Sequence, residues 1–360
     1  MKIGIMTIFR TGNYGATLQA YATWKAINEN NLGEAEIINY CCDGIKGKID
    51  INFLHKVGAF RTIVACIEKL YYYPRMKKTL AFVDSFVKEP ILSKEELSTL
   101  NDKYDIFLSG SDQIWNPDIQ LGDHSYLLDF VSDNYKKRSY ASSFGVASLQ
   151  QPYFDQWAAL LNDYERITVR EKSGAELVRK LINKEVSVVL DPTMLLTPGQ
   201  WEEILPKAVQ KGNYVFVYQM SHSNLLAKYA NKVRGFLNSK ILYVPFPIGG
   251  FCKCKISLGL SSLEWLRAIH DSKFVITDSF HGVVFSIIFR RQFYYIITSE
   301  TVKKRLSRLS TLLTTLGLED RIVETASDFH PEAMIDYDLV HNKLIAERDR
   351  SLNILKELLS

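Results

Sequence analysis

Cysteine in any framework spacing is the first thing this sequence lacks. Its 5 cysteines, an odd number, include the adjacent pair Cys41-Cys42 and the Cys252-Lys253-Cys254 triplet, but no CxxC and no histidine at zinc-ligand distance from them. A disulfide scaffold and a metal site are therefore not expected, and reduced thiols in a cytoplasmic protein are. Long apolar runs are missing too. The best, Val283 to Phe289, stops at Arg290-Arg291, far short of the roughly 20 residues that span a bilayer. The opening MKIGIMTIF runs into Arg10-Thr-Gly-Asn without a cleavage pattern, so no targeting segment is expected. One-signed charge is scarce: the net charge is +4 from 44 basic and 40 acidic residues. That argues against nucleic acid as a partner and suits small anions or a phospholipid surface. G-x-G-x-x-G is absent, so a nicotinamide cofactor is not expected, and there is no internal repeat.

What is present is a well-packed globular composition, 360 residues with 47% apolar and 12% aromatic, enough for two domains. Short apolar runs alternate with amphipathic stretches. The strand expectations are 2–9, 35–39, 106–108, 139–142, 166–169 and 186–190, then 214–218, 241–244, 274–277 and 293–297. Near-continuous apolarity marks strands buried on both faces, and the alternation marks β-α units. The prolines at 192, 198 and 206 place a connector near residue 205. The expected fold is two Rossmann-like doubly wound domains facing across a cleft: an N-terminal domain 1–205, a C-terminal domain 206–330 and a terminal helix 331–360. Residues 44–100 read as a helical insertion. Lys46, Lys48, Lys56, Arg61, Lys69, Arg75, Lys77 and Lys78 give it either a solvated face or a surface that rests on anionic lipid.

Several stretches could carry chemistry. In "ITDSFHG" (276–282) an apolar strand passes through Asp278, Ser279, His281 and Gly282 into another apolar segment. That places His281 where backbone N–H groups and a helix dipole bind anions, with Asp278 and Ser279 positioned to orient the imidazole or cap the helix. The bland alternative is a capped turn around a buried histidine. "FLSGSDQIWNP" (107–117) offers Asp112, Gln113 and Asn116 to sugar hydroxyls and Trp115 as a flat face, or else an Asx turn over a buried Trp. "FRTGNYGATLQAYA" sets Asn13 and Tyr14 in a turn before a helix, and "SYASSFG" repeats the strand-then-hydroxyl pattern. Arg170 in "VREKSG" can grip a carboxylate or phosphate, or pair with Glu171 or Asp191; Arg305 and Arg308 share a helix face.

GSDQIWN, SYASSFG, VREKSG, VVLDPTMLL and ITDSFHG, in that order and spacing, resemble the polysaccharide pyruvyl transferase family over residues 10 to 325. The resemblance implies a GT-B-like fold. It also implies transfer of pyruvate from phosphoenolpyruvate onto two sugar hydroxyls as a cyclic ketal, with phosphate released, in capsule, exopolysaccharide or cell-wall synthesis. No cofactor is implied beyond phosphoenolpyruvate as donor, and the acceptor is a lipid-linked or nucleotide-linked sugar. His281 matches the family histidine and becomes the proton carrier. Where other branches carry Arg this chain has Ser279, so Arg170 and Arg308 are the candidates to hold the donor beside Ser279. Asn13, Tyr14, Asp112, Gln113, Trp115 and Asn116 are assigned to the acceptor. The expected location is the cytoplasm, with peripheral contact at the inner face of the membrane. Two readings compete: a GT-B glycosyltransferase using a nucleotide sugar, and a sugar-binding protein without turnover.

Overall fold

The computed structural model describes residues 1–46, 73, 75–210, 212–245, 255–256, 259–304 and 306–360. Most of the basic helical stretch (47–72 and 74), Cys252, Cys254 and Arg305 lie outside the described residues.

Two six-stranded parallel sheets organise the chain. The first holds β1 (Lys2–Met6), β2 (Glu34–Ile37), β3 (Ile106–Ser109), β4 (Lys137–Ser142), β5 (Arg166–Val169) and β6 (Ser187–Val188) in the order β2-β1-β3-β4-β5-β6. The second holds β7 (Tyr214–Tyr218), β8 (Lys240–Val244), β9 (Lys255–Ile256), β10 (Phe274–Thr277), β11 (Gln292–Ile296) and β12 (Ile322–Val323), ordered β12-β11-β10-β7-β8-β9. In each sheet the winding reverses once, between β1 and β3 and between β7 and β10. These are the switch points where such sheets take ligands, outside the carboxyl ends of the strands. The central strands YVFVY and FVIT are buried along their whole length, as strands covered on both faces must be. The expectation of two doubly wound α/β units is met.

The principal helices are α1 (Tyr14–Glu29), α2 (Tyr153–Asn162), α3 (Lys172–Ile182), α4 (Leu225–Leu237), α5 (Ser262–Asp271), α6 (Phe280–Ile288), α7 (Ser307–Leu316) and α8 (Tyr337–Leu359). The chain divides into residues 1–57, 83–196 and 345–360 on one side and 58–82 and 197–344 on the other. The division falls at 197 because a capping box at Thr197 starts a short helix whose Trp201 is fully buried, edge-on to Phe285 of α6 at 5.1 Å. The tail is shared. Tyr337 and His341 bond the carbonyls of Ser286 and Ile287 in the second unit. Arg348 donates to the Met194 carbonyl at 2.7 Å and Ser351 accepts from the Leu190 N–H at 3.1 Å in the first. Of the basic stretch, Arg75 is buried rather than solvated, Lys77 is exposed, and Lys78 pairs with Glu264 at 3.0 Å.

The corner that matters most is the junction of β10 and α6. Thr277 ends the strand, Ser279 caps the helix by accepting from the Gly282 N–H at 3.4 Å, and Gly282 packs directly on Thr277. A Cβ at 282 would stand 2.7 Å from the Thr277 hydroxyl oxygen and 2.9 Å from its methyl. Glycine is therefore required here by close approach of helix to strand. Gly282→Ala should lower stability by about 1–3 kcal/mol in urea unfolding, whereas Gly199→Ala, with open space around it, should lie within about 0.5 kcal/mol of the parent. Equal effects would refute the close-packing account.

Candidate functional site

In the first unit the polar motifs converge on the carboxyl ends of β1, β3, β4 and β5. Asn13 caps α1 by accepting from the Gly15 N–H at 3.0 Å, and Tyr14 is buried behind it. Gln19 of α1, which the sequence does not single out, links the loops on both sides of the switch point. Its amide donates to the Thr7 hydroxyl and the Ile8 and Ala16 carbonyls, and its oxygen accepts from the Ser111 N–H at 3.1 Å. The Gly110-Ser111-Asp112 turn then docks on the end of β4. Gly110 has φ +137, and a Cβ there would run into the Tyr140 carbonyl. The Ser111 hydroxyl donates to the Ala141 carbonyl at 2.8 Å. Ser143 N–H donates to the Asp112 carbonyl, and Trp115 N–H to the Ser143 carbonyl.

Trp115 is a correction to the sequence reading. It is 0% exposed, with Phe144 and Tyr164 edge-on at 5.3 and 5.8 Å and its indole N–H on the Ser109 hydroxyl at 3.3 Å. A ring so enclosed holds the turn in place and offers no face to a sugar. Arg170 is a second correction. Its guanidinium is buried and ion-paired to Asp191 at 2.6 Å, Asp112 at 3.3 Å and Glu171 at 3.9 Å. Burial alone would lower its pKa, but Asp191, Asp112 and Glu171 together raise it. A guanidinium held by carboxylates of its own unit has its donor fork engaged within the protein. Of the six residues assigned to the acceptor, Asn13 and Gln113 are partly exposed. Asn116 is buried, capping 117–120 through Asp118 N–H and donating to Gln113 at 3.1 Å.

In the second unit the carboxyl ends of β7, β10 and β11 are tied together by one acid. The Asp278 carboxyl accepts from the Met220 N–H at 2.7 Å and from the Ser221 hydroxyl, which is 2.7 Å from the Thr298 hydroxyl. The cap of α6 is Ser279 rather than Asp278. Burial pushes the Asp278 pKa up to about 6, despite the opposing hydrogen bonds from Ser221 and the Met220 backbone. Gln219, also missed in the sequence, is buried and donates to the Ser221 and Ser223 carbonyls, shaping the loop that follows β7.

His281 lies in the first turn of α6, 5% exposed, with its ring edge-on to Phe280 at 5.1 Å and 85°. Arg308, from the first turn of α7, places its guanidinium carbon 5.8 Å from the centroid of the same ring. A cation and an imidazole therefore meet on one aromatic side chain at the amino end of a helix, where the dipole favours an anion. Among the described residues no cluster of His, Cys, Asp and Glu is arranged to hold a metal, and no helix is long and apolar enough to cross a membrane.

The family model for polysaccharide pyruvyl transferase matches residues 13–300. No curated protein matches the sequence significantly. Similar solved structures include a putative UDP-N-acetylglucosamine 2-epimerase from Listeria monocytogenes (9% identity, 86% of this chain and 88% of that one, TM-score 0.46). The glycotransferase of kitacinnamycin (10% identity, 100% and 99%, TM-score 0.47) and the S. aureus MnaA-UDP structure (10% identity, 99% and 90%, TM-score 0.48) are others.

Two outcomes follow for stability. Removing the Arg170 charge in Arg170→Met leaves buried carboxylates uncompensated and should lower stability by about 3–5 kcal/mol; a loss under about 1 kcal/mol in urea unfolding would show the network to be dispensable. Asp278 has a folded pKa raised from 3.8 to about 6. Its favourable contribution is therefore full below about pH 4 and lost as pH rises through about 6. Asp278→Asn should stabilise the protein relative to the parent by about 3 kcal/mol at pH 7.5 and not at pH 4. An unchanged difference between the two pH values would remove the buried carboxylate as its source.

Proposed function

Since the chain belongs to the polysaccharide pyruvyl transferase family, we propose that it moves pyruvate from phosphoenolpyruvate onto two hydroxyls of a sugar in a glycan precursor, forming a cyclic ketal and releasing phosphate. The observation that supports this reading is the ring of Phe280, which touches both the His281 imidazole and the Arg308 guanidinium. Phosphoenolpyruvate is an enol ester bearing a carboxylate and a phosphate. Protonation of its methylene carbon makes the carbon that carries phosphate electrophilic. A first sugar hydroxyl adds there and gives up its proton, the C–O bond to phosphate breaks with its electron pair, and the second hydroxyl closes the ring. The two hydroxyl protons balance the one added to carbon and the one lost with phosphate.

His281, an imidazole in the first turn of α6, is the group assigned to delivering and recovering the protons. Arg308 supplies the planar donor fork that fits carboxylate or phosphate, and the amino end of α6 adds backbone N–H groups. Ser279 lends its hydroxyl from the cap. Asn13 and Gln113, uncharged amides at the first unit's switch point, suit sugar hydroxyls. The acceptor would be a lipid-linked or nucleotide-linked sugar, and a lipid-linked one would bring the protein to the inner face of the membrane.

Incubation with phosphoenolpyruvate and a panel of glycan precursors should yield a product heavier by pyruvate minus water, with stoichiometric phosphate. His281→Ala should cut kcat about 10²–10⁴-fold, and Arg308→Ala should raise KM for phosphoenolpyruvate by about 10- to 100-fold. Release of a nucleoside diphosphate from a nucleotide sugar, with no response to phosphoenolpyruvate, would replace the proposal with glycosyl transfer. Binding without turnover would leave a sugar-binding protein.

A further inference from the structure

We propose that Asp278 is a positioning residue that locks the loop after β7 against the turn carrying His281. Three strands end side by side here, β7, β10 and β11. What leaves each of them meets at one carboxyl: Met220 and Ser221 from β7, Asp278 itself from β10, and Thr298, through Ser221, from β11. The loop 219–224 is anchored from its other side by Gln219, whose amide donates to the carbonyls of Ser221 and Ser223 while its oxygen accepts from the Tyr243 hydroxyl of β8. The loop is thus clamped by two buried side chains, Asp278 accepting from it and Gln219 donating to it. His222, exposed at its centre, is carried into fixed register with the α6 corner.

A carboxylate is an odd choice for so buried a place. The forces holding its pKa down are hydrogen bonds, and they do not overcome burial, which raises it to about 6. The group is therefore valued for where its two oxygens lie more than for its charge, and an amide of the same shape can take its place. That distinguishes positioning from proton transfer, because asparagine cannot carry the proton. The inference rests on the α6 corner being the donor end of the proposed reaction, but its first readout does not.

Hydrogen–deuterium exchange at pH 7 reads the clamp directly. Asp278→Ala should speed exchange of the Met220–Asn224 amides by about tenfold or more, and Asp278→Asn should return it to within about threefold of the parent. Ser221→Ala, which removes one arm and spares the fold, should fall between them. Parent-like protection in Asp278→Ala, or in Ser221→Ala if the first variant does not fold, overturns the clamp. In turnover with phosphoenolpyruvate, Asp278→Ala should lose kcat/KM by about tenfold or more and Asp278→Asn should recover most of it. An asparagine variant with a protected loop and no turnover would reassign Asp278 to proton transfer and overturn the positioning role. If no pyruvyl transfer is found with any acceptor, the exchange series still decides the clamp by itself.

Discussion

One hydroxyl sets the geometry on which the second unit depends. The side chain of Thr277 donates to the Tyr218 carbonyl at 2.7 Å, accepts from the Ser279 N–H at 3.1 Å and lies against the bare Cα of Gly282. It thereby joins the ends of β7 and β10, fixes the turn, and sets how closely α6 can start. Move that oxygen and the cap at Ser279, the clamp at Asp278 and the orientation of His281 all lose their reference. A threonine is suited to the place because its β-branched side chain packs in a buried strand while its hydroxyl performs both donor and acceptor duties.

The first unit solves the corresponding problem with charge. Its turn after β3 is stitched to β4 by backbone bonds through Asp112 and Ser143, and under that seam sits Arg170 with three acids. Ser143 also donates to Glu171 at 2.8 Å and Thr193 to Asp191 at 2.7 Å, which ties two of the acids to the neighbouring loops. Such a network specifies one arrangement of loops, and breaking it by removing a single partner is far worse than never having built it.

Much of this was legible in the sequence. Strands such as YVFVY and FVIT announce themselves by unbroken apolarity, and their alternation with amphipathic stretches gave the doubly wound class. The two-residue edge strands Lys255–Ile256 and Ile322–Val323 are too short for any period to show. The sequence also marked the right corners: the GSDQIW turn and TDSFHG both stand at carboxyl ends beside a switch point. What it could not assign was direction. A tryptophan in a polar turn reads alike whether its ring faces a ligand or Phe144 and Tyr164, and Arg170 reads alike whether it meets a substrate or its own acids. Gln19 and Gln219 escaped notice because a buried glutamine tie consists of contacts far apart in the chain, such as Gln19 with Ser111, and no local spacing records them.

The two switch points differ in the groups that the described residues bring to them. In the first unit Arg170 is engaged by Asp191, Asp112 and Glu171, and two neutral amides, Asn13 and Gln113, are partly exposed. Such amides offer matched donors and acceptors to a polyhydroxylated molecule. In the second unit a guanidinium and the positive end of α6 come together with an imidazole around Phe280, which is the polarity an enol phosphate needs. The serine at 279 fits this scheme. A cation carried by α6 itself is unnecessary when α7 delivers Arg308 to the same ring, and a small hydroxyl at 279 leaves the cap intact. The chain can then keep the helix start rigid while drawing its positive charge from a neighbouring element.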